Sequence, residues 1–270
     1  MSRTLTVEQL RERALSLMDG DPDEAVRAVE EALERQPDAE GFYVCGVVLC
    51  EVGDAQEGIG ALRRAVEMDP TLPDAAYTLA REEFARYQFE EAREHVSLAL
   101  RLDPHHADAR YLRACLRERR GDHDGALRDY QSAALSEPVD LPMPIPLADE
   151  EIDAVVDSVL GELHPSLRRY LQDVAIIVED VPPIEVLEDI VDGAHPTDLL
   201  GCFSGHSLVE RDSADPWTAL PATITIYRRN LARIAQDRDE LHNELRVTLL
   251  HEIGHFLGLD EVDLAERGLD

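Results

Sequence analysis

Lysine is missing from this chain of 270 residues: all 26 of its basic side chains are arginine, against 57 acidic ones. The formal net charge is therefore −31. A field of that sign repels nucleic-acid phosphates and anionic bilayer surfaces, so we expect neither as a partner. Hydrophobic residues still make up 44% of the sequence, which is enough for a sizeable core.

Cysteine is scarce as well, and long apolar runs are lacking. The four cysteines form no CxxC pair, which argues against a cysteine zinc site or a disulfide framework and favours free thiols. No apolar run approaches the ~18 residues that span a bilayer. The first residues lack the basic and then apolar pattern of a signal peptide. These absences together predict a cytoplasmic protein.

The first half contains a repeat with a period of 33 or 34 residues. Small residues that recur at this period let two antiparallel helices approach closely, and each recurring proline ends the second helix of a unit. The repeated positions are Ala25, Gly58, Ala92 and Ala126; Gly46, Ala80 and Ala114; and Pro37, Pro70, Pro104 and Pro138.

This pattern resembles the tetratricopeptide repeat (TPR) family over about residues 5–137, as four units. The resemblance implies a helical scaffold that holds a peptide or a partner protein in its groove. The alternative is that the repeats oligomerise or shield the second half of the chain. None of the residues in the array has a catalytic pattern.

A proline-rich segment then interrupts the period, and its composition is typical of an extended spacer. We therefore predict three parts: a repeat array at 1–137, a linker at 138–148 and a second domain at 149–270. The expected fold class is an α-solenoid followed by a small α+β domain.

Within the second domain, helical periodicity is interrupted near His164 and Pro165. "VAIIVED" predicts a buried strand, "LLGCFSGHSLVER" a hairpin that turns at Ser204 and Gly205, and "ATITIYRR" a strand at a sheet edge. A long amphipathic helix is expected to begin at Asp237 and to end at Gly258.

That helix carries the motif HExxH. His251 and His255 are four residues apart, so both imidazoles face the same side of the helix and can reach one ion. Glu252 points about 100° away around the helix axis, where it can contact water held by the ion without ligating the metal. This arrangement predicts a Zn²⁺ site with Glu252 as general base.

A third ligand must come from the short stretch that follows. Gly258 can adopt a left-handed conformation and turn the chain back toward the metal, which favours Glu261 as the third ligand. Asp260 is the neighbouring alternative, with a shorter side chain. Only fifteen residues follow His255, and no methionine follows Met143, which argues against zincins with a distant third ligand or a Met-turn.

The second domain resembles a compact bacterial family of "possible zinc metallopeptidases", which have a minimal zincin domain. The stretches that carry the resemblance are "VAIIVEDVPP", "LLGCFSG", "ALPATITIYRR" and "ELRVTLLHEIGHFLGLDE". The resemblance implies a zincin fold with zinc ligands at His251, His255 and Glu261. It adds little on substrates.

The sequence therefore predicts a zinc metallopeptidase whose TPR array recruits a protein substrate or partner. Tyr227, at the end of a predicted strand, is a candidate for stabilising the transition state, although a tyrosine that only packs in the sheet is the simpler interpretation. The alternative function is a TPR adaptor whose zincin domain is stabilised by the metal and has weak or no activity.

Overall fold

The computed structural model of the chain describes residues 5–136, 141–189, 194–211 and 221–269. These residues belong to two compact units, Met1–Leu141 and Pro142–Asp270.

The described part of the first unit, residues 5–136, consists of four helical hairpins. In each hairpin an odd-numbered helix packs against the helix that follows it, and successive hairpins contact each other in chain order. This confirms the predicted helical repeat array. The helices are α1 (Val7–Leu17), α2 (Pro22–Arg35), α3 (Ala39–Glu51), α4 (Ala55–Met68), α5 (Pro73–Ala85), α6 (Phe89–Leu102), α7 (Ala107–Glu118) and α8 (His123–Ser136).

The recurring small residues lie where the paired helices approach each other. A Cβ added at Gly46 on α3 would lie 2.5 Å from Cγ of Leu62 on α4, and one added at Gly58 would lie 2.5 Å from Sγ of Cys50. The turns between paired helices also recur in conformation, since Gly53, Tyr87 and Gly121 all have a positive φ. The 34-residue period therefore repeats both a helix contact and a turn.

In the described residues of the second unit, helices pack against a three-stranded sheet. Strand β3 lies in the centre, parallel to β1 and antiparallel to β2. Its elements are α9 (Asp149–Glu162), α10 (Pro165–Leu171), β1 (Ala175–Glu179), α11 (Ile184–Asp189), β2 (Gly201–Ser204), α12 (Leu208–Arg211), β3 (Thr223–Tyr227), α13 (Arg228–Ile234), α14 (Arg238–Leu257) and α15 (Glu261–Ala265). This is the expected small α+β architecture.

Two expectations about the sheet were wrong. The strand predicted at an edge, β3, is central: its alternating threonines did not mark a solvent face, because Thr225 is buried together with the flanking isoleucines. The predicted hairpin does not form either. Gly205 does turn the chain, with a φ of 110°, but the chain continues into α12, and β2 pairs with the later β3.

The burial of strand β1 also differs from the prediction. It forms where expected, but it lies at the sheet edge and its residues alternate between exposed and half-buried. An apolar run of β-branched residues therefore indicated a strand without indicating its place in the sheet.

Part of the predicted linker packs onto the second unit. The backbone N–H of Ile145 donates to the carbonyl of Ala232 at 2.8 Å, and Leu147 is buried in the core of this unit. Residues 138–140 lie outside the described part of the chain. The boundaries at 137, 148 and 149 stay a prediction.

Within the described residues, no helix is long and apolar enough to cross a membrane. All four cysteines are free, and two of them, Cys45 and Cys115, are buried. This agrees with the free thiols that the sequence predicts.

Substituting Gly46 tests the close approach of α3 and α4. We expect Gly46→Ala to destabilise the array by about 1–3 kcal/mol, because the new methyl group overlaps Leu62 and the backbone carbonyl of Gly58. Gly60→Ala on α4 is the matched control, since a Cβ there meets nothing within 4 Å. Removing a helical glycine there should be neutral or stabilising. Urea unfolding followed by circular dichroism measures both, and equal midpoints for the two variants would contradict the packing argument.

Candidate metal centre

The centre is built on α14, whose ends are set by local interactions. The side chain of Asp237 accepts hydrogen bonds from the N–H groups of Asp239 and Glu240, both at 2.9 Å, and caps the helix N-terminus. Gly258 ends the helix with a φ of 92°. Both predicted ends are confirmed. The helix between them holds His251 and His255 one turn apart.

The structure brings together the three residues predicted as metal ligands. The Nε2 atoms of His251 and His255 are 2.9 Å apart. The Glu261 carboxylate lies 3.3 Å from Nε2 of His255 and 3.7 Å from Nε2 of His251. Ligand atoms at 2.0–2.1 Å from a tetrahedral ion are about 3.3 Å from one another, so these separations fit a single ion.

The other nitrogen of each imidazole faces a backbone carbonyl. Nδ1 of His251 is 2.5 Å from the carbonyl oxygen of Leu269, and Nδ1 of His255 is 3.2 Å from that of Leu259. A carbonyl only accepts, so each Nδ1 must carry the proton and donate it. In the neutral form each Nε2 is then a lone-pair acceptor.

These three acceptors therefore favour a bound cation. Two Nε2 lone pairs and the Glu261 carboxylate converge, and none of these groups can donate to the others when the imidazoles are neutral. A bound metal ion satisfies all three acceptors at once, and nitrogen and carboxylate ligands in a tetrahedral set suit zinc. The residues present thus fit the metal that the motif predicts.

Asp260, the alternative third ligand, is engaged elsewhere. It is the N-cap of α15, and its side chain accepts from the N–H of Asp263 at 2.9 Å. Glu261, by contrast, is the first residue of α15 and places its carboxylate beside both imidazoles. The geometry favours Glu261 as the ligand.

Glu252 lies beside this set in a buried position. Only 6% of the residue is exposed, and its carboxylate accepts a hydrogen bond from the backbone N–H of Phe203 on β2. Burial raises the pKa of Glu252 to about 7, while the nearby His251 and the N–H of Phe203 act in the opposite direction. A carboxyl group with such a pKa can both accept and release a proton near neutrality.

A cleft of about 230 Å³ opens next to Glu252 and His251. One wall is α14, and Gly201 at the start of β2 forms part of another. A Cβ at Gly201 would lie 2.8 Å from Cγ2 of Thr248 and 3.1 Å from Cγ of Glu252. A glycine at this position therefore lets β2 approach the helix closely enough to reach Glu252.

Several residues of the centre were not predicted. The N–H of Phe203 and the carbonyls of Leu259 and Leu269 are backbone groups, which leave no signal in the side-chain pattern. Gly254 is different, because it stands inside the motif between the two histidines. A Cβ at Gly254 would lie 2.3 Å from Cδ2 of the buried Leu264, so the glycine admits α15 against α14.

The structure places Tyr227 in the core of the second unit. It is the last residue of β3 and only 1% of it is exposed. Burial is the main reason why the pKa of Tyr227 lies well above the usual range. Glu252 is among the charges near it. Tyr227 is not among the described residues that line the cleft. Its suggested part in catalysis stays a prediction, and the packing role agrees better with its burial.

Comparison with known families agrees with both halves of the prediction. Residues 171–269 match the family of zincin-like metallopeptidases, and residues 14–73 and 77–139 match the tetratricopeptide repeat family. No curated protein is significantly similar to the chain.

The similar solved structures are distant. A crystal structure of MamA is 24% identical, with a TM-score of 0.44 over 49% of this chain and 78% of that one. MamA from residue 41 onward, from Desulfovibrio magneticus RS-1, is 21% identical, with a TM-score of 0.43 over 49% and 76%. YrrB, a TPR protein with an unusual peptide-binding site, is 21% identical, with a TM-score of 0.42 over 49% and 70%. Similarity this distant supports no statement about ligands or activity.

The family matches confirm the predicted order of the two parts. A region similar to tetratricopeptide repeats, within residues 14–139, is followed by a region similar to zincin-like metallopeptidases at residues 171–269.

Proposed function

We propose that the protein is a zinc-dependent peptidase. The observation that carries the proposal is the convergence of His251, His255 and Glu261 as acceptors that lack a donor, with the buried carboxylate of Glu252 beside them. His251, His255 and Glu261 would hold the zinc, which would act as a Lewis acid toward water and a peptide carbonyl. The match to zincin-like metallopeptidases supports the same conclusion.

The chain's own residues then divide the remaining work. Glu252 accepts the proton of the attacking water and donates it to the leaving amine. The N–H of Phe203 holds the carboxylate of Glu252 in place. The cleft beside Glu252 is where a substrate would lie.

Three features favour a catalytic centre over a structural one. Structural zinc sites have four protein ligands, whereas the set found among the described residues has three, which would leave a position open for water or substrate. Glu252 is a buried carboxylate, which is costly for stability, and a structural site gains nothing from it. The cleft is lined by Glu252 and by one of the three ligands, His251.

The alternative, a TPR adaptor with a metal-stabilised but inactive zincin domain, agrees with the repeat array and with the metal ligands. It gives no reason for Glu252. A protein that binds zinc and partners but hydrolyses nothing in an unbiased peptide library would support the adaptor.

For the repeat array we propose a role in binding the protein substrate or partner, as the TPR family match suggests. A cavity of about 520 Å³ lies between the N-terminal parts of α3 and α5. Among the described residues that line it are four carboxylates and Tyr43. Arg11 pairs with two of these carboxylates, Asp38 and Glu40, so the acidic character of the cavity comes mainly from Asp69 and Asp74. An acidic cavity of this kind is complementary to a basic segment of a partner. The cytoplasmic location stays a prediction.

The identity of the third ligand can be tested by two neighbouring variants. Glu261→Gln should lower the affinity for Zn²⁺ by about 10²-fold or more, since a ligating charge is lost. Asp260→Asn is the matched control, because asparagine still caps α15 while the charge is removed. Competition with a chromophoric chelator measures both affinities. An equal loss in the two variants, or a loss only in Asp260→Asn, would contradict the assignment.

The role of Glu252 can be separated from metal binding. Glu252→Gln should retain stoichiometric zinc by metal analysis and lower kcat/KM by about 10²–10⁴-fold, because the general base is lost. Glu266→Gln, which changes an exposed carboxylate of the same unit, should leave kcat/KM unchanged. Full peptidase activity in Glu252→Gln would rule out the mechanism.

The cavity of the repeat array can be tested by charge reversal. Asp74 on α5 lines the cavity and its side chain is 71% exposed, so Asp74→Arg should leave the array folded. We expect this variant to cleave folded protein substrates several-fold more slowly and short peptides at the parent rate. Glu94→Arg, an exposed position on α6, is the control and should change neither rate. Equal effects of the two variants would mean that only net charge matters.

A further inference from the structure

A dipeptide of glycine and leucine occurs twice in the last part of the second unit. Gly258 and Leu259 follow α14, and Gly268 and Leu269 follow α15 ten residues later. Both glycines have a positive φ, 92° and 68°, which residues with a Cβ rarely adopt. We call the stretch from Leu259 to Leu269 the return segment.

The two dipeptides close their helices with the same pair of hydrogen bonds. The N–H of Gly258 donates to His255 and that of Leu259 to Gly254, both at 3.0 Å. The N–H of Gly268 donates to Ala265 at 3.0 Å, and that of Leu269 to Leu264 at 3.1 Å. Each pair is a Schellman motif, in which the glycine occupies the left-handed position and the leucine follows it.

Each motif directs its leucine carbonyl to one histidine of the metal centre. The carbonyl of Leu259 accepts from Nδ1 of His255 at 3.2 Å, and that of Leu269 accepts from Nδ1 of His251 at 2.5 Å. The first motif acts within one turn of α14. The second acts across 18 residues, so it depends on how the return segment docks.

Docking of the return segment depends on a close contact. Leu264 of α15 is fully buried and lies so near Gly254 that a Cβ there would be 2.3 Å from its Cδ2. The contact holds α15 against α14 between the two histidines. It sets the position of Glu261 at one end of α15 and of Leu269 beyond the other.

We infer that Gly268 and Leu269 are positioning residues for the metal centre: their Schellman motif holds a carbonyl against Nδ1 of His251 and so presents Nε2 to the metal. Gly258 and Leu259 do the same for His255. The inference rests on the metal site of the proposed function but not on its hydrolytic activity. Acceptors of this kind fix the tautomer and ring orientation of ligating histidines, and their loss typically lowers metal affinity by about 10–100-fold.

The same geometry links the metal to the cleft. Leu269 lines the cleft beside Glu252 and is also the acceptor for His251. Because coupling between two binding events is reciprocal, a metal that binds more tightly to the docked return segment must also stabilise its docking. We therefore expect this wall of the cleft to be more ordered with zinc than without it.

Variants of Gly268 test the inference. A Cβ at Gly268 meets nothing within 4 Å, so a substitution there acts through φ and not through a clash. Gly268→Val should lower the affinity for Zn²⁺ about tenfold or more, because a β-branched residue resists the left-handed conformation. Gly268→Asn should restore the parent affinity, because asparagine tolerates that conformation. Gly161→Val on α9, where a Cβ also meets nothing within 4 Å and φ is not positive, is the control.

A tautomer measurement separates positioning from general destabilisation. In ¹⁵N-imidazole spectra of the zinc-loaded full chain, Nδ1–H of His251 should be protected from exchange in the parent and in Gly268→Asn, and exposed in Gly268→Val. The Nδ1–H of His255 should stay protected in all three, because its acceptor is Leu259. Thermal unfolding of the same samples verifies that each variant is folded.

The inference would be overturned if Gly268→Val bound Zn²⁺ as tightly as the parent. It would also be overturned by a proton on Nε2 of His251 in the zinc-loaded parent. A parent protein that binds no zinc would overturn both this inference and the metal centre. If the variants behave as expected but no peptide is hydrolysed, the inference stands and the proposed peptidase activity fails. If hydrolysis occurs and Gly268→Val binds zinc like the parent, the proposed peptidase activity stands and the inference about Gly268 and Leu269 fails.

Discussion

The candidate metal centre depends on one electrostatic constraint: three hydrogen-bond acceptors face one another. The Nε2 atoms of His251 and His255 and the carboxylate of Glu261 are separated by 2.9–3.7 Å. Backbone carbonyls at both Nδ1 atoms keep the protons on the far side of the rings. Without a cation, this arrangement places lone pairs and a negative charge against one another. With a metal ion, the same contacts become ligand bonds.

The elements around the centre each supply one part of it. Helix α14 gives the histidines their spacing and buries Glu252. Strand β2 approaches this helix at Gly201 and donates the N–H of Phe203 to Glu252. The stretch after α14 contributes Glu261 and both carbonyl acceptors. A centre assembled from a helix, a strand and the return segment needs the whole unit to be folded. These elements approach one another closely, and glycines lie at two of the tightest contacts, Gly201 and Gly254.

The features that could be predicted from the sequence are local along the chain. His251, His255 and Glu252 lie within five residues of one helix, and the ends of that helix carry a capping aspartate and a glycine. The repeat array was equally accessible, because its small residues recur at a fixed period. The choice between Asp260 and Glu261 remained open in the sequence, since it depends on which side chain caps α15.

The features that could not be predicted depend on contacts between distant parts of the chain. The prediction that β3 lies at a sheet edge was wrong because Thr225 is buried, so the alternation in β3 did not mark an exposed face. The pairing of β2 with β3 crosses about twenty residues, and a nearby turn signal at Gly205 suggested a hairpin instead. The acceptors of the two histidines are backbone carbonyls, and a carbonyl is present at every residue.

The proposed function depends on zinc that is bound by two imidazoles and one carboxylate, with one position open. X-ray absorption at the zinc edge of the purified protein can test this coordination. We expect a first shell of nitrogen and oxygen alone, at about 2.0–2.2 Å, with the outer-shell scattering of two imidazole rings. A sulfur shell at about 2.3 Å, imidazole scattering from fewer than two rings, or no stoichiometric zinc would contradict it.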